Sequence, residues 1–405
     1  MKKQTLRRSE ETAYLLPEYG KQKLLTYAES FRDLARAFQT IPGREWEADT
    51  VHTMQDKQNY LWQRKMAENK DLLADHLNEM AQIMSMVAEE SFLQIPLLDK
   101  QRKQIVHELK EEGILIKEIV CVEREVGHFE LSVTMCVNKR VKHPTEEVAG
   151  MLSVLFNKAL VPCGGAPFLV GREYETFRFE EEPKYSVLTG VSKAIKQTET
   201  VSGDNFTCFE TGQGSLVAAL SDGMGSGSKA CKDSETVVEL LEKLLEVGFS
   251  KEAAAQMING VLIVGSEEQN MSTLDVCDLN LYTGVCDFLK VGAAASYIKR
   301  DHLVEKIAST SLPMGVFHQI DMESSKRQLM DGDYIILISD GILDALSDME
   351  SEIVLREIIS NLTLEHPKEM ANQILQYMIH SSRGNIRDDM TVMVIGLWKN
   401  PRKID

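Results

Sequence analysis

The chain has 405 residues, 43% of them hydrophobic and 26% charged, a composition typical of a globular protein with two or three domains. Its formal net charge is −17, and an acidic surface repels phosphate backbones and anionic lipid headgroups, so no nucleic-acid partner is predicted. Its seven cysteines include no C-x-x-C pair, and no apolar run approaches the roughly 18–20 residues that span a bilayer, so we expect a reduced, cytoplasmic polypeptide without a zinc site.

The first part of the chain, residues 1–95, is predicted to be a helical segment. Apolar residues recur at spacings of three and four from Leu24 to Phe38, and Ile41-Pro42-Gly43 is expected to end this helix. A second apolar stripe, rich in methionine, runs from Met66 to about Phe92. A helical hairpin packing on its own domain is favoured. A coiled coil or dimerisation surface is the alternative, although a seam with polar Lys70 specifies one poorly.

Residues 96–183 are predicted to form a small α/β module without a catalytic signature. A helix is expected from Gln101 to Glu112, with Gly113 ending it, and a second from Thr145 to Leu160. Between them, residues 114–116, 119–122 and 129–135 have the apolar patterns of strands. The segment Pro162–Pro167 is the densest turn cluster of the chain and a candidate hinge.

Residues 184–405 are predicted to form a third, strand-rich domain. The strands are expected at residues 215–220, 279–283, 287–291, 296–299, 334–338 and 391–398. Helices are expected at residues 229–247, 253–264 and 350–379. Strands that follow one another with inserted helix pairs favour an α+β fold with antiparallel sheets over a doubly wound α/β fold.

Acidic residues lie at the ends of several of these strands. Asp222 and Asp340 each follow an apolar strand and precede a glycine, Asp388 opens the last strand, and Asp204 precedes another. Carboxylates at strand ends project from a rigid scaffold, and a site of oxygen ligands without histidine or cysteine favours Mg²⁺ or Mn²⁺. Gly223 would let its carbonyl approach a cation. One Asp-Gly turn needs no metal, but several in this order indicate a metal site.

Five short motifs, in this order, resemble those of PP2C-type (PPM) protein phosphatases. They are Ser-Gly-Asp-Asn (202–205), Ser-Asp-Gly-Met-Gly-Ser-Gly (221–227), Ser-Leu-Pro-Met-Gly (311–315), Ser-Asp-Gly-Ile (339–342) and Arg-Asp-Asp-Met-Thr (387–391). Within the bacterial sporulation and stress-response branch, they look most like the stage II sporulation protein E family. The resemblance implies an αββα sandwich of two antiparallel sheets flanked by helices. It also implies that the helical and small α/β regions before the sandwich are regulatory.

The resemblance also implies a site with two divalent cations, Mn²⁺ or Mg²⁺. Asp222 would bridge the two ions, the Gly223 carbonyl would bind one of them, and Asp340 and Asp388 would complete the set. Asp204 would act on the ions through a water molecule. Asp388 is preferred to Asp389 because it aligns with the ligand of the family.

The implied function is a metal-dependent phosphoprotein (serine/threonine) phosphatase that hydrolyses phosphoserine on a small anti-anti-sigma factor and so activates a sporulation sigma factor. Implied partners are that phosphorylated protein and cell-division proteins, with a homodimer possible. Relatives of this kind are membrane-anchored, with this part facing the cytoplasm. Met224 stands where eukaryotic members have a histidine, so no acid for the leaving group is identified.

Two other functions compete with this interpretation. A non-catalytic scaffold at the division site, built on the phosphatase fold, is the main alternative. The complete set of Asp222, Asp340 and Asp388 argues against it. Nucleotide binding at Gly223, Gly225 and Gly227 is disfavoured, because the spacing G-x-G-x-G is neither the dinucleotide fingerprint nor a P-loop.

Overall fold

The computed structural model describes residues 24–36, positions 74, 77–78, 80–85 and 88, and most of residues 97–400. Its gaps in that last range are 126–127, 139–141, 212–213, 226, 248, 265–270, 318–319, 346–350 and 364. Residues 24–36 are helical, as predicted, and so are the described positions between 74 and 88. The predicted stop at Ile41-Pro42-Gly43, and Lys70 with most of the methionine-rich stripe, lie outside the described residues.

The chain divides into two compact units, and the described residues from 77 to 182 belong to the first and those from 183 to 400 to the second. The first unit contains α1 (Asp99–Glu111), β1 (Ile114–Glu125), β2 (His128–Val137), β3 (His143–Pro144), α2 (Thr145–Phe156), β4 (Leu160–Pro162), β5 (Leu169–Val170) and β6 (Glu175–Glu181). Four strands form an antiparallel sheet in the order β1-β2-β6-β4. Apolar residues of α1, α2 and this sheet share one buried core.

Two sequence predictions for this unit need correction. Helix α2 does not continue to Leu160, because Asn157 adopts a left-handed conformation (φ 52°) that ends it, and residues 160–162 pair with β6 instead. The segments 114–116 and 119–122 are parts of the single strand β1. The turn-rich Pro162–Pro167 segment begins at the end of β4 and lies inside this unit.

The second unit contains two five-stranded antiparallel sheets. Its strands are β7 (Tyr185–Ala194), β8 (Asp204–Glu210), β9 (Ser215–Asp222), β10 (Leu274–Asn280), β11 (Val285–Val291), β12 (Ser296–Arg300), β13 (Leu303–Ile307), β14 (Glu323–Gln328), β15 (Tyr334–Ile338) and β16 (Met390–Lys399). Its helices are α3 (Gly227–Val247), α4 (Lys251–Val264), α5 (Asp340–Asp344), α6 (Ser351–Asn361) and α7 (Pro367–Ser381). The first sheet has the order β14-β11-β10-β9-β8 and the second β13-β12-β15-β16-β7.

The two sheets of the second unit stack face to face with helices outside each of them. Side chains such as Leu220, Phe288 and Leu337 form a core between the sheets. A second core lies between the first sheet and helices α3 and α4, and a third between the second sheet and helices α6 and α7. This is the predicted αββα sandwich. Among the described helices, none combines the length and apolar character needed to cross a membrane.

The sequence misplaced some elements of this unit. The strand predicted at residues 279–283 is β10, which begins at Leu274 and ends at Asn280. The helix predicted at 350–379 is two helices, because Pro367 cannot continue a preceding helix and instead occupies the first position of α7, which His366 caps. Strands β7, β13 and β14 were not predicted.

Candidate active site

Asp204 and Asp222 face each other across two neighbouring strands of the first sheet. Asp204 is the first residue of β8 and Asp222 the last of β9, and the two are direct cross-strand partners. Directly opposed residues of an antiparallel pair have Cβ atoms roughly 4.5–5.5 Å apart, and like charges in such positions repel. The strand register therefore places two carboxyl groups side by side at one end of the sheet.

Asp340 and Asp388 belong to the corresponding end of the second sheet. Asp340 lies two residues after β15 and Asp388 two residues before β16, and Ile338 and Val392 are partners across these two strands. Ser339 ties the two strands together, because its Oγ accepts a hydrogen bond of 2.8 Å from the Thr391 N–H. Neighbouring strands of one sheet thus position the two later acidic motifs.

The four predicted carboxylates influence one another electrostatically. The pKa of Asp222 is raised to about 10, first by burial and then by the charges of Asp204, Asp340 and, least, Asp388. A hydrogen bond between the carboxyl groups of Asp222 and Asp340 contributes to the same shift. Asp222 and Asp340 line one small cavity, and Asp204 is the cross-strand partner of Asp222. Asp388 is near enough for its charge to act on Asp222, so the four carboxyl groups are neighbours that oppose one another's ionisation.

Asp204 is fully buried and anchored through one of its oxygens. Its Oδ2 accepts a hydrogen bond of 2.5 Å from the Thr391 hydroxyl, whereas its Oδ1 is buried without a hydrogen-bond partner among the described residues. Burial raises the pKa of Asp204 to about 6, against the lowering effect of hydrogen bonds from Thr391 and Ser339 and of the Lys193 charge. One oxygen is held in place, and the other remains an available acceptor.

Asp388 and Asp389 have different surroundings although they are adjacent. Asp389 is buried, and its two oxygens accept backbone hydrogen bonds from Lys196 (2.9 Å) and Gly203 (2.7 Å). The Asp388 side chain is 40% exposed; its Oδ1 accepts from the Asp389 N–H and lies 3.8 Å from Lys196 Nζ. Both oxygens of Asp389 are thus used in hydrogen bonds to the 196–203 segment. The more exposed Asp388 is therefore the better candidate for a metal ligand.

The glycines of both Asp-Gly turns are required by close packing. A Cβ on Gly223 would lie 2.0 Å from the Ala230 carbonyl oxygen in the first turns of α3, and one on Gly341 would lie 2.1 Å from the Asp389 carbonyl oxygen. Separations below about 3 Å are not found for real Cβ atoms. Gly341 thus lets the turn of Asp340 approach the segment of Asp388.

The oxygen atoms of these residues are suitable ligands for a hard divalent cation, although their present arrangement does not surround one. In the part of the chain that the structure describes, no three acidic, histidine or cysteine side chains are arranged closely enough to hold a metal ion. The unpartnered Oδ1 of Asp204 and the mutual repulsion at Asp222 are nevertheless what a cation would relieve. Carboxylate and carbonyl oxygens are also the ligands that Mg²⁺ and Mn²⁺ prefer.

Sequence reasoning missed two charged residues beside this cleft, Asp275 and Lys290. Each is 1% exposed, and the two are direct partners across β10 and β11. The signal in the sequence was the occurrence of opposite charges at matching distances from one hairpin turn.

Residues 212–398 match the family model for stage II sporulation protein E (SpoIIE), and residues 47–162 match the model for the SpoIIE regulatory domain. A solved structure of the PP2C phosphatase domain and a fragment of the regulatory domain of SpoIIE from Bacillus subtilis aligns with 87% of this chain and 100% of its own, with 29% identity and a TM-score of 0.65.

The chain belongs to the SpoIIE family. Its second unit has the PP2C phosphatase fold, as the motifs predicted. Stage II sporulation protein E of B. subtilis (strain 168) is 30% identical over 343 residues, which are 84% of this chain and 41% of that protein. This member of the SpoIIE family thus spans less than half the length of that relative. The phosphoserine phosphatase RsbU of the same organism is 21% identical over 201 residues, 48% of this chain and 59% of RsbU.

Proposed function

We propose that the second unit is a metal-dependent protein serine/threonine phosphatase that hydrolyses phosphoserine on a small anti-anti-sigma protein. The observation that carries the proposal is the convergence of Asp204, Asp222, Asp340 and Asp388 at one end of two stacked sheets, where burial and then the charges of the other three raise the pKa of Asp222. The relationship to a protein named phosphoserine phosphatase supports phosphoserine as the reacting group.

In this proposal, Asp222, Asp340, Asp388 and the Gly223 carbonyl hold two divalent cations, Mn²⁺ or Mg²⁺. When bound, such ions lower the pKa of water and neutralise the charge of phosphoryl oxygens, which phosphomonoester hydrolysis requires because the uncatalysed reaction is extremely slow. A cluster of carboxylates alone would repel a phosphate dianion. The acidic site therefore needs cations before it can accept this substrate.

The remaining side chains have supporting roles. The Thr391 hydroxyl fixes Asp204, so that Asp204 Oδ1 can accept a hydrogen bond from a water molecule and orient it. Lys196 is 27% exposed and lies beside Asp388, where its ammonium group brings positive charge to the rim of the cleft. Met224, 46% exposed, offers no proton, so the proton for the serine leaving group comes from water or from another group.

The experiment uses the full chain with a phosphoserine-bearing anti-anti-sigma protein, with and without Mn²⁺, and measures released phosphate. We expect release that depends on Mn²⁺ and falls at least about a hundredfold in Asp222→Asn, with unfolding of the variant unchanged. Folded wild-type protein that binds Mn²⁺ but releases no phosphate would favour the alternative, a division-site scaffold built on the phosphatase fold. Equal activity of Asp222→Asn and wild type would reject the site assignment.

Activation of a sigma factor would follow from the same reaction. Removal of phosphate from the anti-anti-sigma protein removes about two negative charges and lets it engage its own partner. We propose that residues 1–95 and 96–183 regulate this step, since residues 47–162 match a regulatory domain of the family. Close relatives are expected to be anchored in a membrane, with the phosphatase on the cytoplasmic side.

A further inference from the structure

A buried ion pair adjoins the carboxylates of the candidate site. Lys290 Nζ lies 2.5 Å from Asp275 Oδ2 and 2.7 Å from Ser296 Oγ, and the Ser296 hydroxyl also hydrogen-bonds Asp275 Oδ2. The three residues are at most 1% exposed. Asp275 and Lys290 belong to the first sheet and Ser296 to β12 of the second. The cluster therefore joins the two sheets in the interior of the sandwich.

The strand register directs Asp275 to the same side of the sheet as Asp222. Asp275 is the direct partner of Leu220, whose side chain belongs to the core between the sheets. Because side chains alternate along a strand, Asp222, two residues after Leu220, lies on that same face. Asp275, Asp222 and Asp340 all line one small cavity of ≈ 20 Å³.

Asp275 has one oxygen that the ion pair does not use. Lys290 and Ser296 both bind Oδ2, whereas Oδ1 is buried without a hydrogen-bond partner in the described part of the chain. An unsatisfied buried acceptor destabilises a folded protein, and a bound water molecule or ion is one explanation for its presence. The cavity it lines has room for about one water molecule.

An ion pair with a purely structural role does not account for this arrangement. Replacement of a buried pair by apolar side chains is often neutral or stabilising, so a buried aspartate with a free oxygen is a poor stabilising device. By contrast, a carboxylate that is held through one oxygen by other side chains is a typical hydrogen-bond partner for the water ligands of a bound cation.

We propose that Asp275 is a positioning residue of the cation site. Its Oδ1 accepts a hydrogen bond from a water molecule that occupies the cavity and binds a divalent cation held by Asp222 and Asp340. Lys290 and Ser296 hold the carboxylate in the required rotamer and balance its charge. This inference rests on the metal site of the proposed function.

The test compares Mn²⁺ binding by the full-length wild type and by the double variant Asp275→Leu/Lys290→Met, using isothermal titration calorimetry without substrate. The double variant removes both charges together, so it avoids the burial of a single unpaired charge. We expect Mn²⁺ affinity to fall about tenfold or more, with cooperative unfolding retained. Double-variant affinity within about twofold of wild type would overturn the inference and leave the metal site intact. A wild type that binds no Mn²⁺ would reject the metal site itself.

Asp333 is a matched control, because it is a buried aspartate in an ion pair but does not line the cavity. Its Oδ2 lies 2.6 Å from Arg300 Nη2. Asp333→Asn is expected to lower stability and leave Mn²⁺ affinity unchanged. Should the double variant fail to fold, a crystal of the wild type grown with Mn²⁺ decides the question. A water molecule shared by Asp275 Oδ1 and the cation is expected, and an Oδ1 without such a water contradicts the proposal.

Discussion

The hydroxyl of Thr391, on one sheet of the second unit, donates a hydrogen bond of 2.5 Å to Asp204 Oδ2 on the other sheet. The Thr391 N–H is bound at the same time by Ser339, the residue before Asp340. One threonine therefore connects the strand of Asp204 with the strands that carry Asp340 and Asp388. The relative positions of the acidic groups depend on such contacts as well as on the strands themselves.

The two adjacent aspartates at 388 and 389 should respond in opposite ways to substitution by asparagine. Asp388→Asn keeps an oxygen for the Asp389 N–H and should change the free energy of unfolding by less than about 0.5 kcal/mol, while Mn²⁺-dependent activity falls about a hundredfold or more. Asp389→Asn places an amide NH₂ against a backbone donor and should lose about 1–3 kcal/mol of stability. Urea unfolding and phosphate release measure both effects. Reversed effects would assign the ligand role to Asp389.

Divalent cations should stabilise the folded chain. Because a ligand that binds the native state alone adds RT ln(1 + [L]/Kd), Mn²⁺ at a hundred times its Kd should add about 2.7 kcal/mol. For a domain of this size, the midpoint of thermal unfolding should rise by about 5–10 °C relative to protein in EDTA. In Asp340→Asn this increase should be largely lost, and its metal-free midpoint should be no lower than that of wild type, since one repelling charge is removed. Identical midpoints of wild type in Mn²⁺ and in EDTA would contradict the prediction.

Gly341→Ala should damage the site through packing. The new Cβ would meet the Asp389 carbonyl oxygen at 2.1 Å, so β15 and the 388–389 segment must separate. We expect a loss of about 1–3 kcal/mol in the free energy of unfolding together with weaker Mn²⁺ binding. Gly150→Ala, in the middle of α2 with nothing within 4 Å of the added Cβ, is the control and should stabilise by about 0.5–1 kcal/mol. Equal stability changes in the two variants would exclude a steric cause.

Asp278 and Asp287 are a second pair of opposed carboxylates, direct partners across β10 and β11. Their opposition should be visible in the pH dependence of the free energy of unfolding. Burial raises the pKa of Asp278 above its usual value, against the lowering effect of Lys251. A carboxyl group with a raised folded-state pKa contributes stability below its unfolded pKa and loses it as the pH rises through the folded-state pKa. Asp278→Asn should therefore match wild type near pH 3.5 and exceed its stability by up to about 1 kcal/mol at pH 7, measured by urea unfolding in metal-free buffer.

Asp287→Asn is the matched control for this measurement. Burial opposes ionisation of Asp287, but the hydrogen bond and charge of Lys251, 2.6 Å away, more than offset it and lower the pKa. Its ionised form contributes stability above the unfolded pKa, which is lost as the pH falls through the folded-state pKa. Asp287→Asn should therefore be less stable than wild type at pH 7. If Asp278→Asn and Asp287→Asn changed the free energy of unfolding at pH 7 in the same direction, the pairing of charges would not determine the stability at this position.

Local sequence signals were sufficient to predict that Asp222 and Asp340 lie at the ends of strands. Asp222 and Asp340 stand next to glycines after apolar runs, and this pattern is visible without knowledge of the partner strand. The roles of Thr391 and Asp389 were not predictable in this way, because both depend on contacts with residues nearly 200 positions earlier in the chain. Asp275 and Lys290 would have required the hairpin register as well.

The predictions of the fold also succeeded where the sequence signal was local and failed where it was not. Strands with continuous apolar patterns, such as β15, were predicted at their observed bounds. Strand β14, by contrast, lies at the edge of its sheet and is made of polar residues that alternate between partly buried and exposed positions, so no apolar signal marked it. The break before α7 was missed because the apolar spacing of two packed helices continued across it, even though Pro367 offered a boundary.

The distribution of the acidic groups over both sheets has a consequence for how the protein matures. Each sheet carries two of the four aspartates of the proposed site. If these residues hold the proposed cations, a partly folded chain with only one sheet formed would bind them more weakly than the folded protein. Acquisition of the metal should then coincide with closure of the sandwich and act as a late, cooperative step of folding.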